Sequence, residues 1–417
     1  MRTYKKLAPF LPSLFLFGLG CNGCLGLESS PEKGGSRIPT SCFYEFPQPE
    51  IQKLDILFVI DDSDSMNEEQ LKVRDGLTTF MDELRKSGGI DQSMHVAVIT
   101  TSVYVFPENL SMSGRYCGIE PAKENDCPEG GLFLPVVANV DEQSSRVLKS
   151  DQPGFMRAFE NRVHRGVAGS PQETSFEAVR LALLSELGDI PLAQGGNKGF
   201  LREGARLLIV VLTDEDDCSE MQRPPKIRVS KGLGDECRTR RAHLSSVEEY
   251  YDLFKNELGK NREVIWAAIA PVAIGTKEAA EVEEMENGDW VARNVDCPTS
   301  WSAGFRHREM AQKFDPTLQN LHSICLDSYH EPLLNIARMA NVPQYIDLKN
   351  IPDKNLARVK LTREDGSQDI CTLQNKGIAE WKEGTGEQPD RVYLSGENHC
   401  HRLPSDKKVE VDLFCVS

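Results

Sequence analysis

The sequence lacks several features that would assign it at once to a common functional class. Its net charge is −16 and no cluster of basic residues offsets it, which argues against nucleic acid or anionic lipid as a partner. Beyond the amino terminus, no apolar run is long enough for a transmembrane helix. Gly-x-Ser-x-Gly, His-Glu-x-x-His and phosphate-binding Gly-rich motifs are absent, and the eight histidines are scattered. We therefore predict that the protein is not an enzyme.

The amino terminus has the pattern of an export signal. A positive segment, residues 2–6, precedes the apolar stretch Leu7–Leu19, whose 13 residues are too few to span a bilayer. Small residues directly before Cys21 resemble a bacterial lipobox. We predict a lipoprotein signal peptide at residues 1–20, lipidation of Cys21, and a lipid anchor with a linker at residues 21–49. An ordinary cleaved secretory signal is the alternative.

Cysteine usage indicates disulfide bonds, because an even set of cysteines remains behind an export signal. Apart from Cys21 and Cys24, ten of the 12 cysteines are left. Their local spacing predicts the pairs Cys117–Cys127, Cys218–Cys237 and Cys297–Cys325. The sequence does not pair Cys42, Cys371, Cys400 and Cys415. Zinc binding is the rival interpretation, but the only Cys-x-x-Cys motif overlaps the lipobox.

Short apolar runs alternate with helical patterns between residues 50 and 350. Buried strands are predicted at Leu54–Ile60, His95–Thr101, Leu207–Thr213, Glu263–Ala270 and Tyr345–Leu348. Helices are predicted at Asn67–Lys86, Phe176–Leu187, Val247–Leu258 and Glu331–Ala340. The alternation predicts an α/β domain with a doubly wound, mostly parallel sheet covered on both faces. Polar insertions at 103–135, 215–245 and 272–330 each carry a cysteine pair, which suggests local stapling.

The pattern changes at about residue 350. Short alternating strands are predicted at 356–361, 391–394 and 408–414, separated by Gly, Asp and Asn turns. We therefore assign residues 351–417 to a small C-terminal antiparallel β unit.

Two acidic residues follow predicted strands of the first domain. Asp61 follows Leu54–Ile60, and Asp214 ends the run LLIVVLT. Loops after parallel strands gather at the carboxyl edge of an α/β sheet, where ligands bind. Together with the hydroxyls of Ser63 and Ser65, the two carboxylates would form an all-oxygen site for a hard cation. The sequence therefore predicts a metal site at this edge.

The segment Asp61-Asp62-Ser63-Asp64-Ser65, after an apolar strand and before a helix, resembles the metal-ion-dependent adhesion site of von Willebrand factor type A domains. Leu212-Thr213-Asp214 matches the late aspartate of that family. The resemblance implies that Ser63 and Ser65 bind Mg²⁺ directly, while Asp61 and Asp214 bind it directly or through water. Ca²⁺ and Mn²⁺ are alternatives.

The family's third element is a threonine in a Gly-rich loop before a helix. Thr174 is the best match, within Gly169-Ser170-Pro171-Gln172-Glu173-Thr174. Glu173 is the alternative ligand, and its additional charge would favour calcium. The neighbouring charges at Asp62, Asp64 and 215–217 are interpreted as solvated loop residues.

Together with the lipobox and the cysteine-bearing insertions, these features resemble cysteine-rich type A lipoproteins of deltaproteobacteria. The resemblance implies a lipid-anchored protein of the cell envelope, at the outer membrane or cell surface, that mediates protein binding or adhesion. A carboxylate of a protein partner would complete the metal shell. The alternatives are a structural envelope component in which the metal only stabilises loops, and a cell-envelope enzyme.

Overall fold

The computed structural model describes residues 41–44, 53–86, 94–103, 146–348 and 355–414. The last two ranges contain gaps at residues 168, 185, 190, 192–195, 223–224, 228, 230–236, 238–239, 287–288, 298, 356, 385–389 and 404–405. The predicted signal peptide, the lipidation of Cys21 and the pair Cys117–Cys127 lie outside the described residues. Within the described ranges, none of the helices combines the length and the apolar character that a membrane span requires.

The α-helices of the described residues are α1 (Asn67–Lys86), α2 (Phe155–Val163), α3 (Ser175–Leu184), α4 (Glu186–Asp189), α5 (Val247–Asp252), α6 (Phe305–Phe314) and α7 (His330–Ala340). The strands up to residue 300 are β1 (Ser41–Tyr44), β2 (Leu54–Ile60), β3 (His95–Thr100), β4 (Leu148–Lys149), β5 (Arg206–Leu212), β6 (Val264–Ala270), β7 (Glu281–Glu286) and β8 (Asp289–Asn294). The later strands are β9 (Leu321–Ser323), β10 (Tyr345–Leu348), β11 (Ala357–Thr362), β12 (Gln368–Cys371), β13 (Ile378–Lys382), β14 (Asp390–Leu394) and β15 (Lys408–Phe414).

The main sheet has six strands in the order β4-β3-β2-β5-β6-β9. All neighbouring pairs are parallel except β3 with β4 at one edge. Counted along the chain, the order is third, second, first, fourth, fifth and sixth, so the chain winds outward in both directions from β2 and β5. This is a doubly wound sheet, and the predicted fold class is confirmed.

Both faces of the main sheet are covered, which explains why its central strands are apolar at all positions except Asp55 and Arg206. In β2, Ile56, Phe58 and Ile60 pack in one cluster with residues of α1, α2 and α7. Leu57 and Val59 point to the other face, where residues of α3, α5 and α6 complete a second cluster. Because side chains alternate across a strand, only a strand buried on both sides needs an unbroken apolar run.

Several elements of the described residues were absent from the sequence prediction. The strands β4 and β9 contain only two and three residues, and both β9 and helix α6 lie in the segment 272–330 that was interpreted as a polar insertion. Helix α2 was missed as well. Strands β7 and β8 pair as an antiparallel hairpin in the same insertion.

The C-terminal unit consists of two antiparallel sheets, in the orders β1-β15-β11-β12 and β10-β14-β13. They enclose their own core, which includes Val359, Val392 and Val411. Two predictions differ from this arrangement. Strand β1 lies within the segment predicted as a linker and pairs with β15, and β10 pairs with β14 rather than with the main sheet.

Disulfide bonds cross-link both the α/β domain and the C-terminal unit. Cys218–Cys237 and Cys297–Cys325 are present as predicted. The structure adds Cys371–Cys400, which joins β12 to the turn after β14 within the C-terminal unit.

Candidate metal centre

The centre lies at the carboxyl edge of the main sheet, where β2 and β5 are neighbours. The connections from these two strands run in opposite directions, so a crevice opens between the loops that follow them. The backbone NH of Asp61 donates to the carbonyl of Leu212 at 2.9 Å, which holds the two loop origins together. This contact places Asp61 directly beside Thr213 and Asp214.

Asp61 is fully buried, and three neighbours orient it. The backbone NH of Ser63 donates to its Oδ1 at 2.8 Å, and the hydroxyl of Thr213 donates to its Oδ2 at 2.7 Å. Its carbonyl accepts a hydrogen bond of 2.7 Å from Gln70 of α1, which also binds the backbone of Gly166. Burial raises the pKa of Asp61 above its usual range, against the lowering effect of these hydrogen bonds.

Ser63, Ser65 and Asp214 meet next to Asp61. The hydroxyl oxygens of Ser63 and Ser65 are 3.3 Å apart, and the Ser65 hydroxyl lies close enough to the carboxyl group of Asp214 to lower its pKa. Burial, followed by the Asp61 charge, raises the pKa of Asp214 to about 8. Its Oδ1 is buried and has no hydrogen-bond partner among the described residues. The structure thus brings four predicted ligands to one point.

Glu173 adds a third buried carboxyl group to this centre. Thr101, directly after β3, donates a hydrogen bond to Oε2 of Glu173. The carboxyl group of Glu173 lies close enough to Asp61 to influence its pKa. Burial, and then the charges of Asp61 and Glu215, raise the pKa of Glu173 well above the usual value. Its other oxygen, Oε1, is buried without a partner in the described part of the chain.

Thr174 is fully buried one residue further along the same loop. Its hydroxyl donates to the carbonyl of Thr101 at 2.7 Å, and its backbone NH donates to the same oxygen at 3.2 Å. The lone pairs of the hydroxyl remain available to a cation. Of the two candidates for the third ligand, however, it is Glu173 and not Thr174 whose side chain influences Asp61.

Asp62 joins the three loops of the centre and is not the solvated residue that was expected. It is 7% exposed. Its Oδ1 accepts a hydrogen bond of 2.7 Å from the Ser102 hydroxyl, which in turn accepts one from the backbone of Ser170. The carbonyl of Asp62 accepts a 2.7 Å hydrogen bond from the NH of Gly169. Asp62 therefore positions the loop that carries Glu173 and Thr174.

Asp217 also differs from the expectation of solvated loop charge, since it is 1% exposed. Its Oδ1 accepts from the backbone NH of Phe176 at 3.0 Å and caps the first turn of α3. Its Oδ2 pairs with the Arg306 guanidinium at 3.0 Å. Asp64, by contrast, is exposed as expected. The acidic loop after β5 is thus an internal support for the helices around the centre.

The donor atoms of the centre are a mixture of carboxylate and hydroxyl oxygens. Within the described residues, no group of three Asp, Glu, His or Cys side chains is arranged to hold a metal by itself. A cation here would therefore need hydroxyl oxygens and water in addition to carboxylates, which suits Mg²⁺. The unpaired oxygens of Glu173 and Asp214, and the hydroxyls of Ser63 and Ser65, are such donors. In their chemistry, these oxygen donors fit a hard divalent cation such as Mg²⁺.

Comparison with known proteins gives matches among solved structures, of which three are described here. No family model matches the chain, and no curated protein does. Proximal thread matrix protein 1 from the mussel byssus is 10% identical with a TM-score of 0.31, over 73% of this chain and 51% of that one. The pilus adhesin SpaC from Lactobacillus rhamnosus GG is 11% identical with a TM-score of 0.34, over 88% of this chain and 39% of that one.

A von Willebrand factor type A protein from Catenulispora acidiphila is 11% identical with a TM-score of 0.35, over 92% of this chain and 66% of that one. The chain therefore spans between 39% and 66% of the length of these three structures. At these identities and TM-scores, neither activity nor partner is transferred from them to this protein.

Proposed function

We propose that the protein is a metal-dependent binding protein in which the buried carboxylates at the carboxyl edge of the main sheet hold a divalent cation. One observation carries the proposal: Asp61, Asp214 and Glu173 are buried together, and among the described residues they form no ion pair and two of their oxygens lack a hydrogen-bond partner. Burying several like charges is unfavourable unless they are protonated or neutralised by a cation. A divalent cation would do this and would satisfy the unpaired oxygens.

The hydroxyls of Ser63 and Ser65, with Asp61 and Asp214, would hold Mg²⁺, and Glu173 or Thr174 would supply the third loop's ligand. A cation bound there would act as a Lewis acid toward one further oxygen ligand. Ser65 and Asp64 are exposed, so the shell faces solvent on that side. A carboxylate of a protein partner would occupy this position, as the resemblance to a metal-ion-dependent adhesion site implies.

An exposed aromatic residue supports a role in protein binding. Trp301 is 56% exposed, and its backbone NH donates to the carbonyl of Asp214 at 3.0 Å. The disulfide Cys297–Cys325 closes the loop that contains it. Tryptophan is enriched among residues that dominate binding energy at protein interfaces. A partner that places a carboxylate on the metal would cover this ring.

The proposal is tested by retention of partners from a cell-envelope extract on the immobilised protein. We expect retention with Mg²⁺, and loss of it with a chelator and with Asp61→Ala. Asp64→Ala, which removes an exposed carboxylate from the same loop, is the matched control. Retention that survives both the chelator and Asp61→Ala would refute the mechanism. Metal-dependent stability without any metal-dependent partner would instead favour the structural role.

A second experiment distinguishes the contribution of the partner contact from that of metal binding. Trp301→Ala should weaken retention of the same partner while leaving the affinity for Mg²⁺, measured by calorimetry, unchanged. Export and lipid anchoring at Cys21 are part of the proposal, and mass spectrometry of the mature amino terminus tests them directly.

A further inference from the structure

A second candidate site lies at the opposite edge of the main sheet from the metal centre. A cleft of about 460 Å³ separates the amino-terminal end of β6 from the C-terminal sheet β10-β14-β13. Glu263 and Asn320, which precede β6 and β9, line one wall. Glu380 and Tyr393 of β13 and β14 line the other. Its volume is within the range of small-molecule sites, about 300–1,000 Å³.

The charge of this cleft is opposite to that of the whole chain. Six basic side chains line it against three acidic ones, although the protein as a whole has 64 acidic and 48 basic residues. The basic residues are Lys255, Lys260, Arg262, Lys313, Lys382 and Arg402. A concave surface lined by one sign of charge concentrates ligands of the opposite sign. The cleft therefore favours an anion.

The basic residues are not all neutralised by their neighbours. Lys313 pairs with Glu248, outside the cleft, and Lys382 pairs with Glu380 at 3.7 Å. The Glu263 carboxylate pairs with Arg206 at 2.6 Å. Lys255 is exposed and belongs to none of these ion pairs, although the charges of Glu263 and Glu380 act on it. The cleft thus keeps an excess of positive charge, to which Lys255 contributes.

Three polar atoms of cleft-lining residues are buried without partners among the described residues. They are Nε1 of Trp266, Oδ1 of Asn320 and Nε of Arg402. Trp266 and Asn320 are completely buried. The other polar groups of Asn320 and Arg402 are used: Asn320 donates to the carbonyls of Trp266 and Ala311, and Arg402 donates to that of Pro343.

Leaving buried polar groups unpaired is unfavourable, so polar ligand atoms that reached these groups would be stabilised by them. Two of the unpaired atoms are donors and one is an acceptor. A hydroxyl group both donates and accepts, and a carboxylate accepts from donors only. The combination matches a ligand that carries hydroxyls and a negative charge.

We propose that this cleft binds a small anionic polyol of the acidic-sugar class. The basic rim would pair with the carboxylate, and the recessed atoms of Trp266, Asn320 and Arg402 would meet hydroxyl groups. The half-buried Tyr251 and Tyr393 add amphipathic rings to the walls. A long polyanion is disfavoured, because the net charge of −16 repels it outside the cleft.

The test uses D-glucuronate as the probe, with D-glucose as its uncharged counterpart and succinate as an anion without hydroxyls. Binding to the full-length protein is followed by calorimetry and ligand-observed NMR, with a chelator present so that the metal centre does not contribute. We expect glucuronate to bind about tenfold more tightly than either comparison compound, because each lacks one class of contact.

Variants locate the binding in the cleft. Lys255→Gln should weaken glucuronate binding several-fold without unfolding the protein, because its side chain is exposed. Lys86→Gln, an exposed lysine of α1 that does not line the cleft, should leave the affinity unchanged. No binding of glucuronate at millimolar concentration, equal binding of glucose or succinate, or an unchanged affinity in Lys255→Gln would each overturn the proposal.

Discussion

At the scale of single residues, Gly169 determines how closely the loop that carries Glu173 approaches the loop after β2. A Cβ atom at Gly169 would lie 2.7 Å from the carbonyl oxygen of Asp62 and closer still to its carboxylate. The backbone hydrogen bond between the two residues prevents them from separating. We therefore predict that Gly169→Ala lowers the free energy of unfolding by about 1–3 kcal/mol, the range for overpacked sites, in urea denaturation.

The control for this substitution is Gly275→Ala, since a Cβ atom there meets nothing within 4 Å. That variant should have an unchanged denaturation midpoint. Gly169→Ala should also reduce the affinity for Mg²⁺, because it displaces the loop that contains the third ligand. A stable Gly169→Ala variant with full metal affinity would show that the close approach of these loops is not required.

His307 makes stability depend on pH at a site apart from the metal ligands. It is fully buried against Phe176, and neither ring nitrogen has a partner among the described residues. Burial lowers its pKa from 6.5 to about 4, although the nearby Asp217 acts in the opposite direction. Because the unfolded chain binds the proton more readily, stability falls as pH falls from 6.5 toward 4, by about 3 kcal/mol at most.

The prediction is checked by comparing the pH dependence of unfolding in the wild type and in His307→Leu. The variant should lose this part of the slope between pH 6.5 and 4, while the exposed His243→Gln should retain it. Identical slopes in the wild type and His307→Leu would show that the buried imidazole contributes nothing to acid sensitivity.

Several residues of the centre could be predicted because a strand pattern places them. Asp61 and Asp214 follow apolar runs, and parallel strands bring their carboxyl ends together. The burial of Asp62 and Asp217 could not be predicted in this way. Their partners, Ser102 and Arg306, are 40 and 89 residues away, and no local pattern distinguishes such a carboxylate from a solvated one. The sequence likewise left Glu173 and Thr174 as alternatives.

At the scale of elements, the length of a strand decides whether sequence alone reveals it. Strands β2 and β5 each have seven residues buried on both faces, so their apolar runs are unmistakable. Strand β9 has three residues, Leu-His-Ser, and joins the sheet through its pairing with β6. Its sequence carries no strand signal. The cleft at the amino edge could not be predicted either, because its two walls come from separate sheets.

One disulfide bond supports the loop that carries Glu173. Cys218–Cys237 closes a loop of 19 residues beside the centre, and the NH of Cys218 donates to the carbonyl of Glu173 at 2.7 Å. Replacing both cysteines by alanine should lower the free energy of unfolding by about 3 kcal/mol, as expected for a loop of this length. It should also weaken Mg²⁺ binding, because the backbone of Glu173 loses a fixed neighbour. Chemical denaturation and calorimetry measure the two effects.

The matched comparison is Cys371–Cys400, which spans 29 residues in the C-terminal unit. Removing this bond should have a similar effect on stability and no effect on metal affinity. Equal losses of metal affinity in both double variants would mean that the centre responds to global stability rather than to its local support.

At the scale of the whole molecule, the two edges of the main sheet differ in charge. Buried carboxylates gather at the carboxyl edge, and basic side chains line the cleft at the amino edge, within a chain of net charge −16. General screening by salt reduces repulsion across the entire surface. A cation bound at the centre acts only on the folded state. Stability measurements separate these two effects, because any salt provides screening whereas the centre requires a divalent cation.

We predict that MgCl₂ raises the melting temperature more than NaCl of the same ionic strength. A ligand that binds only the folded state stabilises it by RT ln(1 + [L]/Kd), about 2.7 kcal/mol at a hundredfold excess over Kd, which corresponds to several degrees for a domain of this size. Asp61→Asn should abolish the difference between the salts, whereas Asp64→Asn should preserve it. Equal shifts with both salts would attribute the effect to screening of the acidic surface and would remove the thermodynamic basis for a metal centre.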